Sequence, residues 1–154
     1  MAHKLDETDL KILRELQNNA RLSHHELSER VGLSPSPCSR RIRIMEGNGI
    51  INGYGARVDE RKLGFAMSIF VSVKLDRQID DRLVNFERDI ALCPEVVDCW
   101  LMTGNRDYLL RISVRDLEEF ESFLTARLTK IAGVASLESS IPIRRVKSGQ
   151  ARLR

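Results

Sequence analysis

Arginine and serine side chains recur at helical spacing near position 40 of this 154-residue chain. Residues three and four apart share one face of a helix, so a single stripe contains Ser36, Ser39, Arg40 and Arg43, with Arg41 beside it. Guanidinium groups pair with phosphates or with a guanine edge, and short hydroxyls let a helix approach closely. This face therefore suits the major groove of double-stranded DNA. The alternative is an ordinary amphipathic helix whose arginines are solvated.

The residues that begin and end helices around this stripe predict a helix-turn-helix. Ser23 and Glu26 form an S-x-x-E capping box that begins one helix, and Gly32 ends it. Ser34 then caps the next helix, with Pro35 at its first position, and its hydroxyl lies at the same DNA-facing end. The opposite, apolar stripe of this second helix is Cys38, Ile42 and Met45.

An earlier helix completes a small core. Asp6 caps it with Asp9 three residues later, and its apolar side carries Leu10, Ile12, Leu13 and Leu16. Three short helices are therefore expected to share one core.

The second half of the chain changes to strand periodicity. Alternating residues predict strands over 66–75, 96–102, 108–114 and 134–146. Ile79, Leu83, Phe86 and Ile90 mark one helix, and Asp116 caps another that carries Phe120, Leu128 and Ile131 before Gly133 stops it. The order β-α-β-β-α-β predicts a ferredoxin-like sheet with both helices on one face. Pro142 cannot donate to a strand ladder, so the last strand should be an edge, bulged or shorter.

The other face of that sheet is predicted to be apolar, with Phe70, Trp100, Met102 and Leu109. Such a patch usually marks an interface, so the chain is expected to be at least a homodimer. The alternative is a monomer in which long side chains such as Arg111 cover the patch. A dimer presents two DNA-binding domains about one turn of the DNA helix apart, which suits a pseudo-palindromic DNA site.

Composition points to a small protein of the cytoplasm. The formal net charge of +3 is weak evidence for nucleic acid, and no run of about 18 apolar residues or signal-peptide core predicts a membrane or export segment. Cys38, Cys93 and Cys99 form no C-x-x-C pair, so they read as small core residues, with no disulfide, zinc or other metal site expected. The basic tail from Gln150 to Arg154 is expected to fray.

The chain resembles the Lrp/AsnC family of transcription regulators, also called leucine-responsive or feast/famine regulators. The resemblance covers nearly the whole chain and rests on motifs in order: Leu5-Asp6 with Asp9 and Ile12-Leu13, Gly32-Leu33-Ser34 with Cys38 and Arg41, Gly49-Ile50-Ile51 with Gly53-Tyr54, and Thr103-Gly104 with Asp107-Tyr108. It implies an α+β, two-domain chain: a winged helix-turn-helix over 1–58, a linker over 59–65, and a ferredoxin-like βαββαβ sandwich over 66–154.

The resemblance also implies an amino-acid effector and assembly of dimers, commonly to octamers. The residues matching the family's effector site are Thr103, Gly104, Asn105, Asp107 and Tyr108. Backbone amides around Gly104 suit a carboxylate, and Asp107 suits an ammonium group. The alternative is that Gly104 and Asn105 simply form a hairpin turn. Ser139 and Ser140 on the last predicted strand are further candidates for the same cleft.

The function expected from these features is sequence-specific DNA binding modulated by a small effector, with no cofactor. One alternative is an architectural protein that compacts DNA with little ligand control. Another is an enzyme, since relatives of this two-domain fold act on tetrapyrroles as decarboxylases. The C-terminal half has no histidine, and no nucleophile-base pair stands out, so no catalytic residue is predicted.

Overall fold

The computed structural model describes residues 4–77, 80–149 and 151–153, and it divides the chain into two compact units. The first unit, here called the head, comprises Met1–Arg57 and Lys147–Arg154. The second, here called the C-terminal unit, comprises Val58–Val146. The break after Arg57 lies one residue from the predicted boundary. The predicted linker instead belongs to the C-terminal unit, and the tail belongs to the head.

Three helices form the head: α1 (Glu7–Asn18), α2 (His24–Val31) and α3 (Pro35–Gly47). Their apolar faces meet in one core, as the spacing predicts. Its buried members are Ile12, Leu13, Leu27, Val31, Cys38, Ile42 and Met45. Asn-Gly pairs often form hairpin turns, but residues 52–59 contain no strand, so Asn52 and Gly53 do not form one here.

The helix starts follow the predicted capping chemistry. Asp6 and Asp9 exchange reciprocal bonds at α1, and Ser23 and Glu26 do the same at α2. Gly32 ends α2 with φ +73°, a left-handed conformation that side-chain-bearing residues rarely adopt. Ser34 occupies the cap position of α3, but its hydroxyl makes no capping bond, so the N1 proline carries the start of that helix.

The C-terminal unit has the predicted βαββαβ order. Its elements are β1 (Met67–Leu75), α4 (Asp80–Ala91), β2 (Val96–Leu101), β3 (Tyr108–Val114), α5 (Leu117–Ala126) and β4 (Val134–Ser140). The sheet is antiparallel in the order β2-β3-β1-β4. Phe86, Phe120 and Phe123 from the two helices join Ile69, Val71 and their neighbours in one core, which confirms that both helices cover one sheet face. None of the helices among the described residues is long and apolar enough to cross a membrane.

Helix α5 and strand β4 are both shorter in the structure than the sequence predicts. Helix α5 ends at Ala126, and Leu128 lies instead in a 3₁₀ turn, Leu128–Lys130, where it is still buried. Strand β4 ends at Ser140 because Pro142 lacks the N–H that a ladder needs. β4 is also an edge strand, so two of the three alternatives predicted for the proline occur. The register shift in its pairing with β1 lies near Leu75 and Val134, at the other end of the strand from Pro142. Ile79 lies outside the described residues.

The cysteines differ from the prediction at one position. Cys38 and Cys93 are buried, and burial raises the pKa of both thiols. Cys99 is exposed, because β2 is the other edge of the sheet and its side chains are less covered by helices.

Candidate DNA-binding face and effector region

Helix α3 presents two different sides. Cys38, Ile42 and Met45 are buried in the head, whereas Ser34, Ser36, Arg40 and Arg43 are exposed and Ser39 is half-buried. We call Ser36, Ser39, Arg40 and Arg43 the recognition face. Among the described residues, no ion pair involves Arg40 or Arg43. Both guanidinium groups are therefore available to a negatively charged partner.

Arg41 has a different environment from its neighbours. Its Nη1 lies 2.7 Å from Asp6 Oδ2 and 2.8 Å from Asp9 Oδ1. These carboxylates form the capping box of α1, so Arg41 joins α3 to the start of α1. Their charges and hydrogen bonds raise the pKa of Arg41. The Arg41 guanidinium group is therefore already paired with two carboxylates inside the head, and its predicted contact with DNA stays a prediction.

The segment after α3 also contacts that helix. The Tyr54 hydroxyl donates to Glu46 Oε1 at 2.9 Å. Partial burial and this bond raise the pKa of Tyr54 to about 12. Glu46, the acidic residue one turn beyond Arg43 on α3, is therefore hydrogen-bonded to Tyr54.

The hairpin turn between β2 and β3 contains the predicted effector residues. Thr103, Gly104 and Asn105 are exposed, and Gly104 has φ +111°. The turn is closed by Met102 N–H, which donates to the Asp107 carbonyl at 2.8 Å. An exposed turn with a left-handed glycine leaves backbone amides accessible to a ligand.

Asp107 and Tyr108 lie beneath this turn, not on its surface. Asp107 is 2% exposed, and its carboxylate accepts from Leu75 N–H at 2.7 Å and from Lys74 Nζ at 3.1 Å. Tyr108 is 1% exposed and donates to Glu87 Oε1 at 2.7 Å. Burial and that carboxylate raise the pKa of Tyr108. Asp107 therefore fixes the turn to β1, with its carboxylate buried against Lys74 and Leu75.

Arg106, which the sequence did not single out, reaches from the turn to β4. Its Nη1 donates to Ser136 Oγ at 2.8 Å, and its Nη2 donates to Glu138 Oε2 at 2.8 Å. The Glu138 side chain is 65% exposed. No sequence signal identifies this contact, because Arg106 and Glu138 lie 32 residues apart.

The two serines proposed for the effector cleft lie elsewhere on β4. Ser139 pairs with Val71 and Ser140 with Phe70, whereas Ser136 pairs with Lys74 beside the turn. Antiparallel pairing places the start of β4, not its end, next to the turn.

The sheet face without helices carries the predicted apolar side chains. Trp100 lies opposite Leu109, Phe70 lies opposite Arg111, and Met102 follows β2. Trp100 is 44% and Met102 43% exposed. We call Phe70, Trp100, Met102 and Leu109 the open face.

Arg111 lies on the same face of the sheet, opposite Phe70, and two carboxylates hold its guanidinium group. Its Nε lies 2.6 Å from Asp98 Oδ2 and its Nη1 3.0 Å from Glu60 Oε1. Glu60 lies in the 3₁₀ turn Glu60–Leu63 and also accepts from Ser113 Oγ at 2.9 Å. The predicted linker is therefore bound to β3 through Glu60.

Two family models match the chain. The winged helix-turn-helix DNA-binding model matches residues 5–52, and the Lrp/AsnC ligand binding domain matches residues 68–152. The first range contains α1 to α3, and the second contains the sheet, apart from Met67 at the start of β1, with both of its helices.

Proteins similar along nearly their full length are transcription regulators. The Bkd operon transcriptional regulator of Pseudomonas aeruginosa is 48% identical over 93% of this chain and 94% of its own length. The leucine-responsive regulatory protein of Escherichia coli K12 is 36% identical over 93% and 87%. A transcriptional regulator from Neisseria meningitidis, solved in complex with L-Met, superposes with a TM-score of 0.89 at 38% identity, covering 94% of each chain.

Proposed function

Because the chain belongs to the Lrp/AsnC family of transcriptional regulators, we propose that it occupies promoter DNA in the cytoplasm as at least a dimer, with an amino acid as its effector. Its two domains make it a DNA-binding regulator whose promoter occupancy responds to a small effector. The exposed arginine pair on α3, opposite the buried stripe of the same helix, is the observation that carries the DNA assignment.

The recognition face enters the major groove in this proposal. Arg40 and Arg43 contact phosphates or guanine edges, and Ser36 and Ser39 allow the helix to come close. Ser34 lies at the N-terminus of α3, where a backbone dipole favours a phosphate. Arg41 serves the interface indirectly by holding α3 against α1.

Two chains pair through the open face. Trp100 and Met102 are large apolar side chains exposed beside half-buried Phe70 and Leu109. Covering such a patch removes apolar surface from water at roughly 25 cal/mol per Å². A dimer also gives the two heads that a pseudo-palindromic site requires. Further association to octamers is consistent with the family.

The effector is an amino acid with an apolar side chain, with leucine and methionine the first candidates. The Neisseria structure contains L-Met, and several relatives are called leucine-responsive. Thr103, Gly104 and Asn105 offer exposed backbone around a left-handed glycine. Arg106 and Glu138 bring opposite charges beside this turn, which match the carboxylate and ammonium of a free amino acid. Asp107 and Tyr108 hold the turn from beneath.

Regulation then follows from linkage. An amino acid that binds one assembly more tightly than another shifts the population of assemblies by that difference in affinity. The number or spacing of heads on a promoter changes with the population, and occupancy changes with it.

A fluorescence-anisotropy titration tests this function. The full-length protein is titrated against the DNA upstream of its own gene at two salt concentrations, with and without a panel of amino acids. We expect tight, salt-sensitive binding that leucine, methionine or a similar amino acid alters. Equal binding to unrelated DNA, indifferent to every amino acid, would favour an architectural role instead.

A further inference from the structure

The C-terminal tail of the chain packs with the head. The carbonyl of Ala151 accepts a hydrogen bond from Gln17 Nε2 of α1 at 3.0 Å. Leu153 is half-buried and packs against the head's core, alongside residues such as Leu16 and Leu22. This contradicts the expectation that the tail frays, at least over the described residues 151–153.

From these two contacts we infer that the tail is a fourth element of the DNA-binding head, anchored by Leu153 and required for the head's full stability and DNA affinity. The tail packs on the head at a site that includes Gln17 and the partly buried apolar residues around the core. The match to the ligand-binding domain runs to residue 152, yet the last residues of the chain belong to the head. The proposed role therefore goes beyond ligand binding by the C-terminal unit.

The size of the head explains why so short a segment matters. Residues 1–57 make a core near the size at which a single domain is only marginally stable. An apolar side chain docked on such a core adds a large fraction of a small net stability. Ala151 and Arg152 are exposed, whereas Leu153 is half-buried, so Leu153 is the side chain expected to carry the contact.

The tail also gives the C-terminal unit a second covalent connection to the head. The chain leaves the head at Arg57 and returns at Lys147, only seven positions after β4 ends at Ser140. Releasing Leu153 from the head would lower DNA affinity without any change at the recognition face.

Hydrogen–deuterium exchange on the full-length protein tests the inference. In Leu153→Ser we expect amides of α1 to exchange about tenfold faster, because burying half of a leucine side chain is worth roughly tenfold in an equilibrium constant. The matched control Arg152→Ser changes the adjacent exposed residue and should leave α1 exchange at the wild-type rate. Leu153→Met keeps an apolar side chain of similar volume and should restore protection.

Wild-type exchange throughout α1 in Leu153→Ser would overturn the inference. So would equal acceleration in Leu153→Met, since the effect would then not follow apolar packing. This readout requires no DNA, so it separates the role of the tail from the DNA-binding function. A parallel anisotropy titration should show weaker DNA binding by Leu153→Ser than by Leu153→Met; equal affinities would remove DNA affinity from the tail's role.

Discussion

Arg41 Nη1 lies 2.8 Å from Asp9 Oδ1 and thereby joins α3 to α1 in the head. Asp9 is 1% exposed, so this contact is closed to solvent on the carboxylate side. Asp9 Oδ2 meanwhile accepts the Asp6 backbone N–H at 3.1 Å. One carboxylate therefore starts α1 and fixes α3, which links the local cap to the tertiary placement of the DNA-binding face.

Replacing Arg41 by alanine should destabilise the head. Hydrogen bonds to charged groups contribute about 1.5–3 kcal/mol, so we expect a loss of about 2 kcal/mol in the free energy of unfolding. Urea denaturation followed by circular dichroism measures it. Arg40→Ala removes the same charge from the exposed side of α3 and should change stability little. Equal stability of the two variants would contradict the role of Arg41 in joining α3 to α1.

Replacing Arg43 by alanine should weaken DNA binding and leave assembly intact. Losing a bidentate guanine contact costs about 1–3 kcal/mol, and losing a phosphate contact lowers the salt slope by about one. Anisotropy titrations at several salt concentrations distinguish these cases, and sedimentation checks the oligomer. Arg88→Ala, which removes a charge from α4, is the control. Wild-type affinity and salt dependence would remove Arg43 from the interface.

A charge on the open face should break the dimer. Trp100→Glu places a carboxylate where apolar burial is expected, and an unpaired buried charge is strongly unfavourable. Sedimentation velocity should therefore show a shift toward monomer. Val84→Glu adds the same charge at a 63% exposed position of α4 and should retain the wild-type distribution. An unchanged oligomer in Trp100→Glu would place the interface on another surface.

Replacing Arg106 should weaken effector binding more than DNA binding. Its guanidinium is the cation beside the exposed turn, so Arg106→Ala is expected to weaken binding of leucine or methionine about tenfold, the value of a modest charge-assisted hydrogen bond. Isothermal calorimetry measures this affinity, and anisotropy without effector checks DNA binding. Arg82→Ala on α4 is the control for loss of charge. Wild-type calorimetry would exclude Arg106 from the effector site.

The capping carboxylates of the head should make it less stable in acid. The Asp9 backbone N–H, and then Arg41, hold the pKa of Asp6 below its ordinary value of 3.8. Ser23 holds the pKa of Glu26 below its ordinary value of 4.5. Because both values are depressed on folding, their stabilising effect is fully present above about pH 4.5 and is lost as pH falls through the folded values.

Urea denaturation at a series of pH values between about 6 and 3 measures this loss, which linkage places below the unfolded pKa values. The double variant Asp6→Asn, Glu26→Gln lacks both of these carboxylates and keeps Asp9, so its stability should fall less steeply as the pH is lowered. Equal slopes for the variant and the wild type would show that other carboxylates dominate acid unfolding.

The sequence by itself determined the features that depend on near neighbours. The capping boxes join residues three apart, and the helical and strand periods follow from which faces must be buried. Pro142 limited β4 through its own missing N–H. The alternating strands and their order were sufficient to predict the ferredoxin-like sheet and its open face.

Only the tertiary structure decided which partners the charged side chains have. Arg41 and Asp6 lie 35 residues apart, Asp107 and Leu75 lie 32 apart, and Gln17 and Ala151 lie 134 apart. A residue type and its local spacing do not encode such partners, because they depend on how separately formed elements pack. Packing therefore paired Arg41 with the carboxylates of α1, buried Asp107 beneath the turn between β2 and β3, and made the tail a part of the head.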